Sequence, residues 1–204
     1  MKKPKILFFG NIYINDREKF VYMKDSFESI YDGNLFSSCV INVRGKYAKQ
    51  SLNYLKSKKI VNLYNIESTF GWYHDTFNIT KNINFDYVFC WLEDFICKNK
   101  SLLKLMFKNI FKQKIDIIKY APTNLNFNFK KFRENEIFYF KNIKKKEYKV
   151  KFRDDFIISY GSVINKILFF KILIDNDYNY WHKSTPFGFE KNAKQLKWLP
   201  LKKA

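Results

Sequence analysis

The chain has 204 residues, enough for one domain with a proper hydrophobic core; Phe (23), Tyr (14), Lys, Asn and Ile dominate it, a pattern that A/T-rich codons produce. A formal net charge of +19 would ordinarily suggest nucleic acid, but the basic residues are mostly Lys and not the Arg that reads bases bidentately, so codon bias accounts for the excess. Composition therefore makes nucleic acid an unlikely partner and leaves open a peripheral contact with an anionic membrane.

The start, "KILFF" (5–9), is a short apolar run closed by Gly10-Asn11, the pattern of a buried strand that ends in a loop. In residues 17–32, Phe20, Met23, Phe27 and Ile30 fall at helical spacing, with Gly33 as a stop. "FSSCVINV" (36–43) is rich in β-formers and is closed by Arg44-Gly45. A second helix over 46–59 and a strand over 60–66 follow. A helical stretch over about 70–82 contains Gly71 and leads to a strand over 86–92, whose end carries Glu93 and Asp94. A helix over 101–113 and a strand over 115–120, ended by Pro122, complete the first half.

Short apolar strands alternating with helices of about a dozen residues predict a parallel, doubly wound α/β sheet with ligands at the carboxyl ends of its strands. Residues 124–153 alternate aromatics with lysines, as antiparallel hairpin strands with one wet face would. Gly161 marks the entry to a helix over 163–174, and a further helix is expected from about Phe187. The lysine run 141–151 reads either as a solvated hairpin or as a contact for anionic lipid or glycan.

Several chemistries are excluded by motif. No GxGxxG, no GxxxxGK[ST] and no HExxH occurs, and the only histidines, His74 and His182, are far apart in sequence. Cys39, Cys90 and Cys97 have no metal-ligand spacing and read as reduced core residues of a cytoplasmic protein. The amino-terminal apolar stretch is too short for a signal peptide, and no segment approaches a membrane span. Glu93 and Asp94 have two readings. A carboxylate pair at a strand end suits a hard divalent cation shared with a diphosphate, whereas acids also cap a following helix.

The succession from "KILFFGNIY" through "FVYMKDSFESIYDG", "SSCVINVRGKY" and "ESTFGWYHDTF" to "FDYVFCWLEDF" resembles the nucleotide-binding half of GT-A fold glycosyltransferases of the family-2 type. The likeness is one of order and spacing over roughly the first 120 residues. It implies a GT-A-like, mostly parallel central sheet flanked by helices, with a small antiparallel hairpin element and a C-terminal helix. Residues 1–122 would be the nucleotide-sugar-binding half, and 123–204 the acceptor-side half of the same domain. The donor would be a UDP- or GDP-sugar, held either with Mn²⁺ or Mg²⁺ or, in a cation-independent enzyme, by Lys or Arg neutralising the diphosphate, and the acceptor a glycan or lipid-linked molecule at the inner face of the membrane.

Carried onto this chain, Gly10, Asn11 and Tyr13 would contact the nucleotide. Arg44 and Gly45 stand where the family has an acidic turn that reads uracil or ribose, and His74 would line the donor site or pack. Glu93 and Asp94 would hold the metal and diphosphate, although "LEDF" is not a clean DxD and Phe95 replaces a second acid. His182 would return to the metal–diphosphate, under a loop containing Trp181 and Pro186. Asp94 is thus a candidate catalytic residue. Asp154-Asp155, with Asp155 preferred, and Glu190 are candidate general bases for the acceptor.

Overall fold

A computed structural model describes residues 3–97, 100–112, 117–121, 136–140 and 161–175. These form one seven-stranded sheet with helices on both faces. In chain order the elements are β1 (Ile6–Tyr13), α1 (Arg17–Ile30), β2 (Ser38–Arg44), α2 (Ala48–Ser57), β3 (Asn62–Tyr64), α3 (Trp72–Thr80) and β4 (Tyr87–Trp91). They continue with α4 (Lys100–Lys112), β5 (Ile117–Ala121), β6 (Glu136–Phe140), β7 (Ser162–Asn165) and α5 (Lys166–Asp175). The strand order is β3-β2-β1-β4-β7-β5-β6. Strands β1 to β4 are mutually parallel, β7 runs antiparallel between β4 and β5, and β5–β6 is an antiparallel pair.

Continuous apolar runs such as "ILFF" make sense here because each central strand is covered on both faces. Phe8, Ile12, Ile41, Phe89 and Trp91 face α1, α2 and α4 through Met23, Phe27, Leu55, Leu103 and Phe107. Leu7, Phe9, Val40, Val88 and Ile164 face α3 and α5 through Trp72, Ile79, Leu168, Phe169 and Leu173. The first two crossover helices thus cover one face and α3 the other. The chain reverses its winding between β1 and β4, and the crevice outside their carboxyl ends is the topological switch point of the sheet.

Two sequence-based expectations are corrected. Gly10 and Asn11 do not end β1 in a loop; the strand continues to Tyr13 in parallel register with β2. Gly10 is needed for close approach, since a Cβ there would meet Trp91 Cε3 at 2.7 Å. Asn11 stays in the strand because its buried amide is satisfied from α3 and β2. Residues 163–165 are strand and not helix: β7 pairs with β4, and α5 begins at Lys166, where the Asn165 side chain accepts from Leu168 N at 2.8 Å. The β5–β6 pair supplies the antiparallel element. The helix expected from about Phe187 and the lysine run 141–151 lie outside the described residues. Cys39 and Cys97 are buried and all three cysteines are free; burial pushes the Cys90 thiol up to about 12.

Candidate functional site

The carboxyl ends of β1, β2 and β4, with the loop between β3 and α3, bring together most of the residues that the sequence singled out. On the α3 face of the sheet Asn11 pairs with Asn42, and Tyr13 with Arg44. Arg44 is 2% exposed. Its Nη1 lies 3.7 Å from Glu67 Oε1, and the guanidinium lies 5.6 Å from the centre of the Tyr13 ring. Burial lowers its proton affinity, and Glu67, Asp75, Tyr13 and Glu93 each act in the opposite direction. One buried cation is therefore shared among several anionic groups drawn from three different loops or helices.

Gly45 follows with φ of 91°, and a Cβ there would meet Ile14 O at 2.7 Å. This conformation lets Ile14 N donate to Arg44 O and Tyr47 N to Ile14 O, both at 2.9 Å, which seals the β1 end against the β2 end.

Glu93 and Asp94 form a turn directly after β4. Helix α4 starts only at Lys100, so the two acids are not in its first turn and the helix-capping reading does not hold. Glu93 is half-buried and Asp94 exposed. Burial raises the Glu93 carboxyl above its ordinary value; its own backbone N–H opposes the shift, Asp94 adds to it, and Lys19 and Arg44 oppose it. Phe95 is 6% exposed and belongs to the core on the α1 face. The position expected to carry a second acid is thus an apolar anchor that seats the turn.

Two carboxylates in tandem suit a hard cation that takes one or two protein oxygens and completes its shell with phosphate and water. They do not amount to an all-protein cage: among the described residues, no group of three or more His, Cys, Asp or Glu is placed to hold a metal. By its chemistry such a pair would suit only a Mg²⁺ or Mn²⁺ shared with a phosphate, and Glu93 and Asp94 are the residues that would hold it.

His74 sits in the first turn of α3 beside the same rim. Its ring is 4.7 Å from that of Phe70, its Nδ1 is 3.7 Å from Asp75 Oδ1, and it meets the Asn78 amide. Asp155, Glu190 and His182 lie outside the described residues.

Sequence reasoning missed Asn42, Asp75, Glu67 and Ser26. Asn42 accepts from Ile66 N at 2.8 Å and donates to Ile66 O at 2.8 Å and Asn11 Oδ1 at 3.0 Å. Ser26 holds the turn after β4. Each had a local signature: an Asn inside the apolar run "CVINV", and a Ser on the apolar stripe of α1 beside Phe27. Only a polar group with a buried partner is stable in such places.

No family model matches the chain, and no curated protein is similar to it in sequence. Solved structures are similar to it. S. aureus TarS 1–349 in complex with UDP is 16% identical with a TM-score of 0.50, over 88% of this chain and 50% of that one. A second structure of the same TarS fragment is 17% identical at a TM-score of 0.49, over 86% and 50% of the two chains. The bifunctional IspDF from Campylobacter jejuni is 15% identical at 0.43, over 88% and 45%. The chain spans about half the length of each of these. The fold is the GT-A-like α/β class that the resemblance implied.

Proposed function

We propose that this chain is a glycosyltransferase that moves a sugar from a UDP- or GDP-sugar to a glycan or lipid-linked acceptor in surface polysaccharide or glycoconjugate assembly. The observation that carries the reading is the placement of the Glu93-Asp94 turn at the β4 side of the switch point, with Tyr13 and Arg44 at the ends of β1 and β2 beside it. The fold shared with TarS, whose structure holds UDP, supports the same reading.

In this scheme the β1, β2 and β3–α3 segments bind the nucleotide, and Glu93 and Asp94 face the diphosphate. Arg44 and Lys19 contribute positive charge where the leaving nucleotide develops negative charge. A divalent cation bound by the two carboxylates would supply further charge neutralisation there. The acceptor hydroxyl needs a base, for which Asp155 and Glu190 are the candidates.

The reading includes a cytoplasmic location and a peripheral contact with the inner face of an anionic membrane. Helix α4 supports the contact: it carries no acid, and Lys104 and Lys108 are exposed on it. No helix among the described residues is long and apolar enough to cross a membrane.

The test is thermal melting with UDP, GDP and their sugars, with and without Mn²⁺. Binding to the native state raises the midpoint by mass action. If no nucleotide moves the midpoint, while DNA or RNA binds with a steep salt dependence, the transferase reading fails in favour of a basic binding module.

A further inference from the structure

Residues 65–71, which join β3 to α3 at the candidate site, combine exposed side chains with an unusually well-held backbone. Asn65, Ile66, Glu67, Thr69 and Phe70 are all exposed, Phe70 by 64%. A loop that buries so little apolar surface has no hydrophobic reason to keep one conformation. Its backbone is nevertheless tied down along its length. Asn42 grips both main-chain groups of Ile66, the Asn65 side chain donates to Val43 O at 2.6 Å, and Ser68 N donates to the buried Asp75 carboxylate at 3.0 Å. At the far end Trp72 Nε1 donates to Asn11 O at 2.8 Å, and the Asn11 amide donates to Thr76 Oγ1 at 2.9 Å.

Asn42 is the centre of this arrangement and is 0% exposed. Ile66 N can only donate and Ile66 O can only accept, so the amide has one workable orientation, which leaves its second N–H for Asn11. Side-chain bonding thus prolongs the grip of β2 on the chain beyond the last paired residue of β3, Tyr64. What these buried amides hold in place is a row of side chains facing water, next to Arg44, and Glu67 of this loop reaches that guanidinium.

We infer that Asn42 is a positioning residue: it keeps loop 65–71 preformed as a wall of the nucleotide site, and so sets nucleotide affinity without touching the nucleotide. The inference rests on the nucleotide-sugar reading above. A preformed wall spares the ligand the entropy of ordering the loop on binding. Loss of Asn42 therefore appears in the dissociation constant of the folded protein, whereas a merely structural Asn would change the melting midpoint alone.

The experiment uses the full chain as wild type, Asn42→Ala and Asn65→Ala, the second removing an exposed anchor without opening the core. Amide hydrogen exchange across 65–71, and the affinity for UDP and GDP, are measured on each. Both variants are expected to exchange faster in the loop. Whichever nucleotide the wild type binds should weaken on the order of tenfold in Asn42→Ala, and less in Asn65→Ala. Faster loop exchange with wild-type affinity overturns the inference and leaves the proposed function standing, as does unchanged loop exchange in Asn42→Ala. If Asn42→Ala does not fold, Asn65→Ala decides by the same criteria. A wild type that binds neither UDP nor GDP overturns the functional reading and this inference with it.

Discussion

The indole N–H of Trp91, at the end of β4, donates to the Ser26 hydroxyl of α1 at 2.8 Å. That hydroxyl donates in turn to Phe95 O at 2.5 Å and lies 3.2 Å from Leu92 O, while Ser29 Oγ accepts from Cys97 N at 2.9 Å. One face of α1 therefore holds both sides of the turn that carries Glu93 and Asp94.

Ser26→Ala is expected to destabilise the fold by about 1–3 kcal/mol, because it leaves a buried indole N–H and a buried carbonyl without their partner. Denaturant melts measure this. A loss below about 0.5 kcal/mol, in the range of an ordinary surface change, would mean that the hydroxyl is dispensable.

Arg44→Met should cost about 3 kcal/mol or more. Glu67 can turn to water, but Asp75 is 3% exposed and would lose the favourable coulombic partner that it has in the guanidinium. The same melts apply, and a neutral or stabilising result would show that the buried cation is not needed to balance Asp75.

The raised Glu93 carboxyl predicts a pH dependence of definite sign. The native state binds this proton more tightly than the unfolded chain, whose value is the ordinary 4.5. The stability contributed by Glu93 is fully present below that value and is lost as pH rises through the folded one. The stability difference between wild type and Glu93→Gln should therefore fall as pH climbs from 4.5 and then level off. A difference that grows with pH would mean that attraction to Lys19 and Arg44 outweighs desolvation.

Asp94 is exposed, so Asp94→Asn should leave stability within about 0.5 kcal/mol of wild type. If the proposed function holds, turnover of the donor sugar should nonetheless be abolished. Unchanged turnover would move the diphosphate site elsewhere.

Gly10→Ala places a methyl 2.7 Å from Trp91 Cε3 at the centre of the sheet and is expected to cost about 1–3 kcal/mol by overpacking. Gly45→Ala meets a backbone oxygen at the same distance with φ at 91°, where neither atom can swing aside. It should be the more damaging of the two, and a reversed order of melting midpoints would contradict this account.

Local pattern was sufficient for the order of elements from β1 to α4. Apolar runs, helical spacing and stop residues are properties of neighbouring residues, and they suffice to place Glu93 and Asp94 at the end of a strand. Three features depended on the tertiary structure. Gly10-Asn11 carries a turn signature but lies inside β1, because Trp91 fills the space beside the glycine and α3 satisfies the asparagine. The segment "SVIN" became a strand only through pairing with β4 and β5. The clasp of Asn42 on Ile66 and the seat of the acidic turn on Ser26 join residues 24 and 66 positions apart. Periodicity and capping report on a few neighbouring positions, whereas a buried polar group is stable only beside a partner that folding brings to it from elsewhere in the chain.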